Sequence, residues 1–289
     1  MDQSKLLAIK PHLIKRDFLS KLDTKYPILL LHGKGFKGTK HIGYWGRIPK
    51  VLEAHGASVI IANQDANGSI EGNALQIQKL LEDIQTNKSI SKVNIIAHSK
   101  GGLEARYLIS TLKQADKIAS LTTLATPHNG SKTVDMLMRF PQFIVKFGCK
   151  VVDLFFRFTG DKSPQTYQSI IHFKTDMAIE FNKLNPDSEK VYYQSYAFVM
   201  KNIFSDFLMW FSWLLVYLKE GPNDGLLTPE SVCWTNFQGI YRGNRRRGIS
   251  HCDEVDLRRR RLTKKNGAGV SDITDLYLTI VSNLKEMGL

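Results

Sequence analysis

Val93-Asn94-Ile95-Ile96-Ala97-His98-Ser99-Lys100-Gly101-Gly102 is the stretch on which the fold turns. Apart from Asn94, the residues up to Ala97 are apolar without alternation, which predicts a strand buried on both faces. Ser99 and the two glycines follow at once, and Leu103 to Lys113 then carries helical periodicity. A strand that turns through a serine into a helix is the nucleophile elbow, small-x-Ser-x-Gly. Its corner is so tight that large side chains two before and two after the serine would collide. Those positions are Ala97 and Gly101 here. The pentapeptide alone recurs by chance as a turn with a capping serine, so the strand before it and the helix after it carry the assignment.

The same alternation extends in both directions. Tyr26-Pro-Ile-Leu-Leu-Leu-His-Gly33 reads as a buried strand running into a glycine-rich loop with Gly35 and Gly38. Trp45 to His55 predicts a helix, 57–62 a second strand, Ile70 to Ile84 a second helix, and Ile118 to Ala125 a fourth strand. Further on, Thr166 to Leu184 predicts helix, Val191 to Phe198 a strand, and Asp272 to Lys285 a closing helix. Wholly apolar strands separated by helices of about a dozen residues predict a mostly parallel sheet covered on both faces, an α/β class. In such sheets chemistry gathers at the carboxyl ends of the strands. No repeat and no Pro- or Ser-rich linker interrupts residues 1–289, so one domain with insertions is expected. The insertions are an aromatic stretch at 131–165, with Phe140, Phe143, Phe147, Phe155, Phe156 and Phe158, and an apolar one at 203–218.

The chain has 289 residues, 43% hydrophobic and 23% charged, which excludes a disordered class. Its net charge of +13 speaks of partners rather than of fold, with an anionic membrane surface first among them. No basic motif interleaved with aromatics is present, so nucleic acid is not an expected partner. Cys149, Cys233 and Cys252 make no disulfide framework or zinc pattern. The N-terminal stretch has no uninterrupted apolar core and no small-residue cleavage site, so it does not read as a signal peptide, and no compartment is assigned. Leu208 to Leu218 is too short for a membrane span, which needs about 20 apolar residues.

A serine hydroxyl needs a base within hydrogen-bond reach, and a histidine held by a carboxylate supplies it. In this fold the order along the chain is serine, acid, histidine. Among eight histidines only His172 and His251 lie well past the fourth strand. His172 sits in an apolar helical stretch, whereas His251 lies in an expected loop, Ile249-Ser-His-Cys-Asp-Glu254, and is the favoured base. Asp224, in Gly221-Pro-Asn-Asp-Gly225, precedes it and fits the acid, although Asn-Asp-Gly also reads simply as a turn. The oxyanion hole needs two backbone N–H groups. Lys100, after the serine, and Lys34, after His32-Gly33, are the expected donors.

Several stretches together carry a resemblance: YPILLLHG at 26–33, YWGRIPKVLEAHGA at 44–57, VNIIAHSKGGLEARY at 93–107, LATPHNGS at 124–131, NDGLL at 223–227 and HCDEVD at 251–256. The chain resembles the bacterial triacylglycerol lipases of the Pseudomonas and Burkholderia type, family I lipases of the α/β-hydrolase superfamily. The resemblance implies an α/β-hydrolase fold, a triad of Ser99, Asp224 and His251, an oxyanion hole at Lys34 and Lys100, and a helical lid corresponding to 131–165. It also implies a structural calcium, with Asp253 matching one ligand and Asp206 the nearest candidate for the other. The run of Phe, Leu, Met and Trp after Asp206 departs from the family there. No cysteine matches the family's disulfide. The expected activity is lipase or carboxylic ester hydrolysis of acyl glycerol esters, with no cofactor for the chemistry. The alternatives are a membrane-associated phospholipase or acyltransferase of the same fold, and a lipid-binding relative that has lost activity.

Overall fold

The computed structural model describes residues 21–34, 43–88, 90–158, 166–243, 247–263 and 269–289. Its centre is a six-stranded sheet built from β1 (Ile28–Leu31), β2 (Val59–Ile61), β3 (Val93–His98), β4 (Ile118–Leu124), β5 (Tyr192–Val199) and β6 (Phe237–Arg242). All five pairings are parallel, in the order β2-β1-β3-β4-β5-β6. The helices are α1 (Ile48–Ala54), α2 (Ile70–Lys88), α3 (Lys100–Ser110), α4 (Lys132–Leu137), α5 (Gln142–Phe158), α6 (Thr166–Ile171), α7 (Thr175–Leu184), α8 (Trp210–Glu220), α9 (Pro229–Val232) and α10 (Ile273–Glu286). This is the α/β-hydrolase arrangement, as the sequence predicts.

β1 is apolar throughout because both its faces are covered. Ile28 and Leu30 of β1 pack with Trp45, Ile48, Leu52, Tyr277 and Ile280 on one side of the sheet. Leu29 and Leu31, one residue out of phase, pack with Ile77, Leu81, Ala105, Leu108 and Ile109 on the other. So α1 and α10 cover one face, while α2 and α3 cover the opposite one.

The order of the strands positions the site. β1 pairs with β2 on one side and with β3 on the other, so the connection from β1 and the connection from β3 leave to opposite faces. Their carboxyl ends form the switch point at which ligands of such sheets bind. Gly33 follows one strand there and Ser99 the other.

Two local expectations are corrected. Thr166 to Leu184 is not one helix: α6 stops at Ile171, His172 and Phe173 form a turn, and α7 begins at Thr175. Helix α3 starts at Lys100 rather than Leu103, directly on the serine. Strand β6 was not legible, because Phe-Gln-Gly-Ile-Tyr-Arg holds a glycine and two polar residues and shows no clear period. In the 131–165 insertion α4 and α5 are helical, whereas 159–165 and the side chains of Phe155, Phe156 and Phe158 lie outside the described residues. No helix of the described residues is long and apolar enough to cross a membrane.

Candidate active site

Ser99 stands at the top of β3 with φ 54° and ψ −129°, a conformation costly for any residue with a Cβ. Its surroundings hold it there. Its N–H donates to the Leu124 carbonyl at 2.9 Å, and its own carbonyl accepts from the Thr126 hydroxyl at 2.8 Å and the Gly102 N–H at 3.1 Å. The small residues of the elbow are required by their neighbours. A Cβ on Gly101 would lie 2.6 Å from the His32 carbonyl oxygen, and one on Gly33 would lie 2.8 Å from the Ser99 Cβ. The loop after β1 therefore touches the serine at Gly33, and Lys100 opens α3 with its N–H in the first turn.

Asp224 and His251 meet on the far side of β5. The Met200 N–H donates to the Asn223 carbonyl at 2.8 Å and the Ile249 N–H to the Val199 carbonyl at 3.0 Å, so both loops hang from the end of that strand. The His251 N–H donates to the Asp224 carbonyl at 2.9 Å, and the His251 Nδ1 lies 2.9 Å from Asp224 Oδ2. The other carboxylate oxygen accepts the N–H groups of Leu226 and Leu227, each at 2.8 Å. Asp224 is thus a turn residue and an imidazole partner at once, and it is buried. The His251 ring lies against that of His98, centroids 4.4 Å apart, one residue from Ser99. The Ser99 hydroxyl makes no hydrogen bond to this imidazole in the present conformation. Such contacts are commonly long in unliganded enzymes and tighten when substrate binds. His172 instead borders a small cavity with Asn67, Gly68, Gln168 and Lys100.

The structure adds a buried chain that sequence reasoning missed. The Gly33 N–H donates to the Tyr44 hydroxyl at 3.0 Å, and that hydroxyl pairs with His98 Nδ1 at 2.7 Å. His98 Nε2 then pairs with Glu254 Oε2 at 2.8 Å, and the same oxygen lies 3.7 Å from His251 Nδ1. Burial drives the His98 imidazole well below its ordinary range. Burial, helped by the charge of Asp224, drives the Glu254 carboxyl well above its own. Burial thus disfavours the charged form of each group. This chain links the loop at Gly33 to the histidine loop. Tyr44→Phe keeps the ring but strands the Gly33 N–H and the His98 Nδ1. It is expected to cost about 1–3 kcal/mol of unfolding free energy, read from urea denaturation. An unchanged midpoint would show that the hydroxyl holds nothing.

The side chain of Lys100 has a structural explanation. Its ammonium is buried and donates to the Gly68 carbonyl at 2.7 Å, with Glu104 one helical turn on at 2.5 Å. Glu104 also accepts from Asn73 at 2.6 Å and Gln64 at 3.2 Å. Nothing in the sequence announces that this Lys/Glu pair at i,i+4 is buried. His128 of the LATPHNGS stretch stacks on Trp234 at 5.1 Å beside the Arg106 guanidinium and is a packing residue.

The two aspartates matched to calcium ligands already share a cation. Asp206 and Asp253 do come together, but the guanidinium of Arg258 contacts both carboxylates. The donor set, two acids already joined to an internal cation, does not fit a calcium ion, which takes six to eight oxygens. His98, His251 and Glu254 also bring ligand atoms within 4.8 Å of one another. Those atoms are engaged with one another or with Asp224, and they offer no open cradle.

The chain is similar to known proteins over most of its length. The family model described as palmitoyl protein thioesterase matches residues 27–201. The chain is 33% identical over 293 aligned residues to triacylglycerol lipase 2 of Saccharomyces cerevisiae, covering 94% of this chain and 79% of that protein. It is 28% identical to a triacylglycerol lipase of Vibrio cholerae, covering 92% of this chain and 89% of the relative. Among solved structures, the lipase of Staphylococcus hyicus superposes with a TM-score of 0.64 at 16% identity, over 95% of this chain and 99% of that one. Its likeness concerns the fold alone. The family model and the yeast relative each span more than half of the chain, and on that ground the chain belongs to the lipase and thioesterase family of α/β-hydrolases and is an ester hydrolase of lipase type.

Proposed function

We propose that the protein cleaves fatty-acyl esters of glycerol through an acyl-enzyme on Ser99. The observation that carries this is the buried 2.9 Å contact between Asp224 and His251, with the imidazole packed against His98, one residue from a strained serine at a strand end. His251 takes the hydroxyl proton as Ser99 attacks the ester carbonyl. The N–H groups of Lys34 and Lys100 face the developing oxyanion, and His251 then protonates the leaving alcohol. Water activated by the same imidazole forms the second tetrahedral intermediate and releases the fatty acid. Asp224 fixes the tautomer throughout. Serine, histidine and aspartate supply all the groups this reaction needs, without a cofactor.

A lipid surface is the proposed working partner. Phe143 and Phe147 on α5 are 74% and 70% exposed, and Phe204 and Phe207 before α8 are 88% and 85% exposed. Large aromatics so bare are characteristic of a surface that meets another apolar phase. That makes α5 a lid candidate and the stretch before α8 a second contact. The yeast and Vibrio relatives are triacylglycerol lipases by name, and the matching family model is that of a thioesterase, so the test compares both ester classes. Long-chain triglyceride emulsion, phospholipid vesicles and a soluble long-chain acyl thioester are assayed side by side, with glycerol acceptors added to reveal acyl transfer. The glyceride rate is expected to rise across the solubility limit. The double variant Phe143→Ser/Phe147→Ser should lose about tenfold on emulsion while keeping its rate on a soluble short-chain ester. Preference for the thioester or the vesicle, or equal loss on both substrates, would overturn the glyceride reading.

A further inference from the structure

Two buried acids flank the segment that carries His251. Asp206, at the turn after β5, accepts the Leu208 N–H at 2.9 Å on one oxygen and the Ser250 hydroxyl at 2.5 Å on the other. Asp253, two residues past His251, accepts the Ser250 N–H at 3.3 Å. Ser250 and Asp253 thus bracket the imidazole-bearing residue, and Asp206 ties that bracket to the end of β5. Both carboxylates are almost fully shielded from water, 1% and 5% exposed. Held together without a cation, two such carboxylates would repel each other.

The cation is part of the chain. The Nη2 of Arg258 contacts Asp206 Oδ2, and its Nη1 lies 3.4 Å from Asp253 Oδ1. Arg258 heads the run Arg258 to Arg261, yet its side chain is only 22% exposed, whereas Arg260 is exposed. From the other basic segment Arg247 also turns inward, donating to the Ser205 carbonyl at 3.0 Å. A guanidinium is suited to this place, because its planar fork can reach two carboxylates at once and it stays charged.

We propose that Arg258 is a tethered cation that takes the place of calcium, neutralising Asp206 and Asp253 and holding the His251 loop, so that the protein needs no divalent ion for this purpose. Arg258 is a positioning residue, acting on the imidazole through Asp253 and Ser250. The inference rests on the reading of His251 as the base only for its effect on rate; its effect on melting stands apart from that reading.

The test uses the full chain treated with EGTA, with Tm measured by scanning fluorimetry in the presence of EGTA, Ca²⁺ or Mg²⁺. Wild-type Tm is expected to be the same in all three. Arg258→Ala should lower Tm by about 5–10 °C, and Ca²⁺ but not Mg²⁺ should restore part of that loss. Arg258→Lys, which keeps the charge with fewer contacts and serves if the alanine variant does not fold, should melt between wild type and alanine. A wild-type Tm that falls in EGTA and returns with Ca²⁺ would overturn the proposal. So would an unchanged Tm in Arg258→Ala, no calcium response in that variant, or a lysine variant as unstable as one without charge. Failure of glyceride hydrolysis with these melting results intact would refute only the proposed substrate.

Discussion

Ser99→Ala is expected to lower kcat on a soluble p-nitrophenyl ester by about 10⁶-fold, with Tm at or slightly above the wild-type value. The large factor follows from the chemistry. Without the hydroxyl no acyl-enzyme forms, and only substrate binding and the oxyanion donors remain. The stability forecast comes from the elbow. The hydrogen bonds that fix it run from the backbone of residue 99 to Leu124, Gly102 and Thr126, and alanine leaves them in place. A fluorophosphonate should add one adduct to wild type, located at Ser99 by peptide mass, and none to the variant. Turnover that survives the substitution, or an adduct elsewhere, would remove Ser99 from the mechanism.

Asp224→Asn carries the second large effect, about 10⁴-fold in kcat with little change in KM. Its reason is tautomeric. The amide oxygen can still accept the Leu226 and Leu227 N–H groups, so the turn should persist. The amide NH₂ would then face His251 Nδ1, where the carboxylate now lies at 2.9 Å. A donor there forces Nδ1 to accept, leaving the imidazole proton on Nε2 and the ring unable to take one from serine. Circular dichroism and Tm should match wild type, while the p-nitrophenyl assay should not. A loss below about tenfold would mean that the carboxylate does not set the state of the ring.

The parts of the fold that were legible share a property: their signal is local. β1 is a continuous apolar run, β3 and β4 are rich in Ile, Leu and Val, and α2 and α3 repeat on a helical period, so each could be assigned within its own window. Ser99 was legible because strand, corner and helix are adjacent in sequence. Asp224 and His251 needed only chain order, and the structure places them in contact. The illegible parts are long-range. Tyr44, His98 and Glu254 lie far apart in the chain, and nothing at position 44 announces that its hydroxyl will sit between Gly33 and His98. Arg258 is the sharper case. In a run of four arginines each looks like a solvated charge, and only the packing shows which one turns inward to two buried acids. The resemblance implied calcium at the same two aspartates, and sequence alone does not say whether a cation there is an ion or a side chain.

Because the switch point arises from the reversal of strand order between β1 and β3, it is a property of how the chain is wound and not of any particular side chain. Substitution can therefore rewrite nearly every covering helix, and helical pieces can be added above the rim, while the switch point stays where it is. A lipase sharing only 16% of its residues with this chain can for that reason still overlay 95% of it. What lineages are free to vary is the rim, and new acyl specificities can arise there without refounding the architecture beneath.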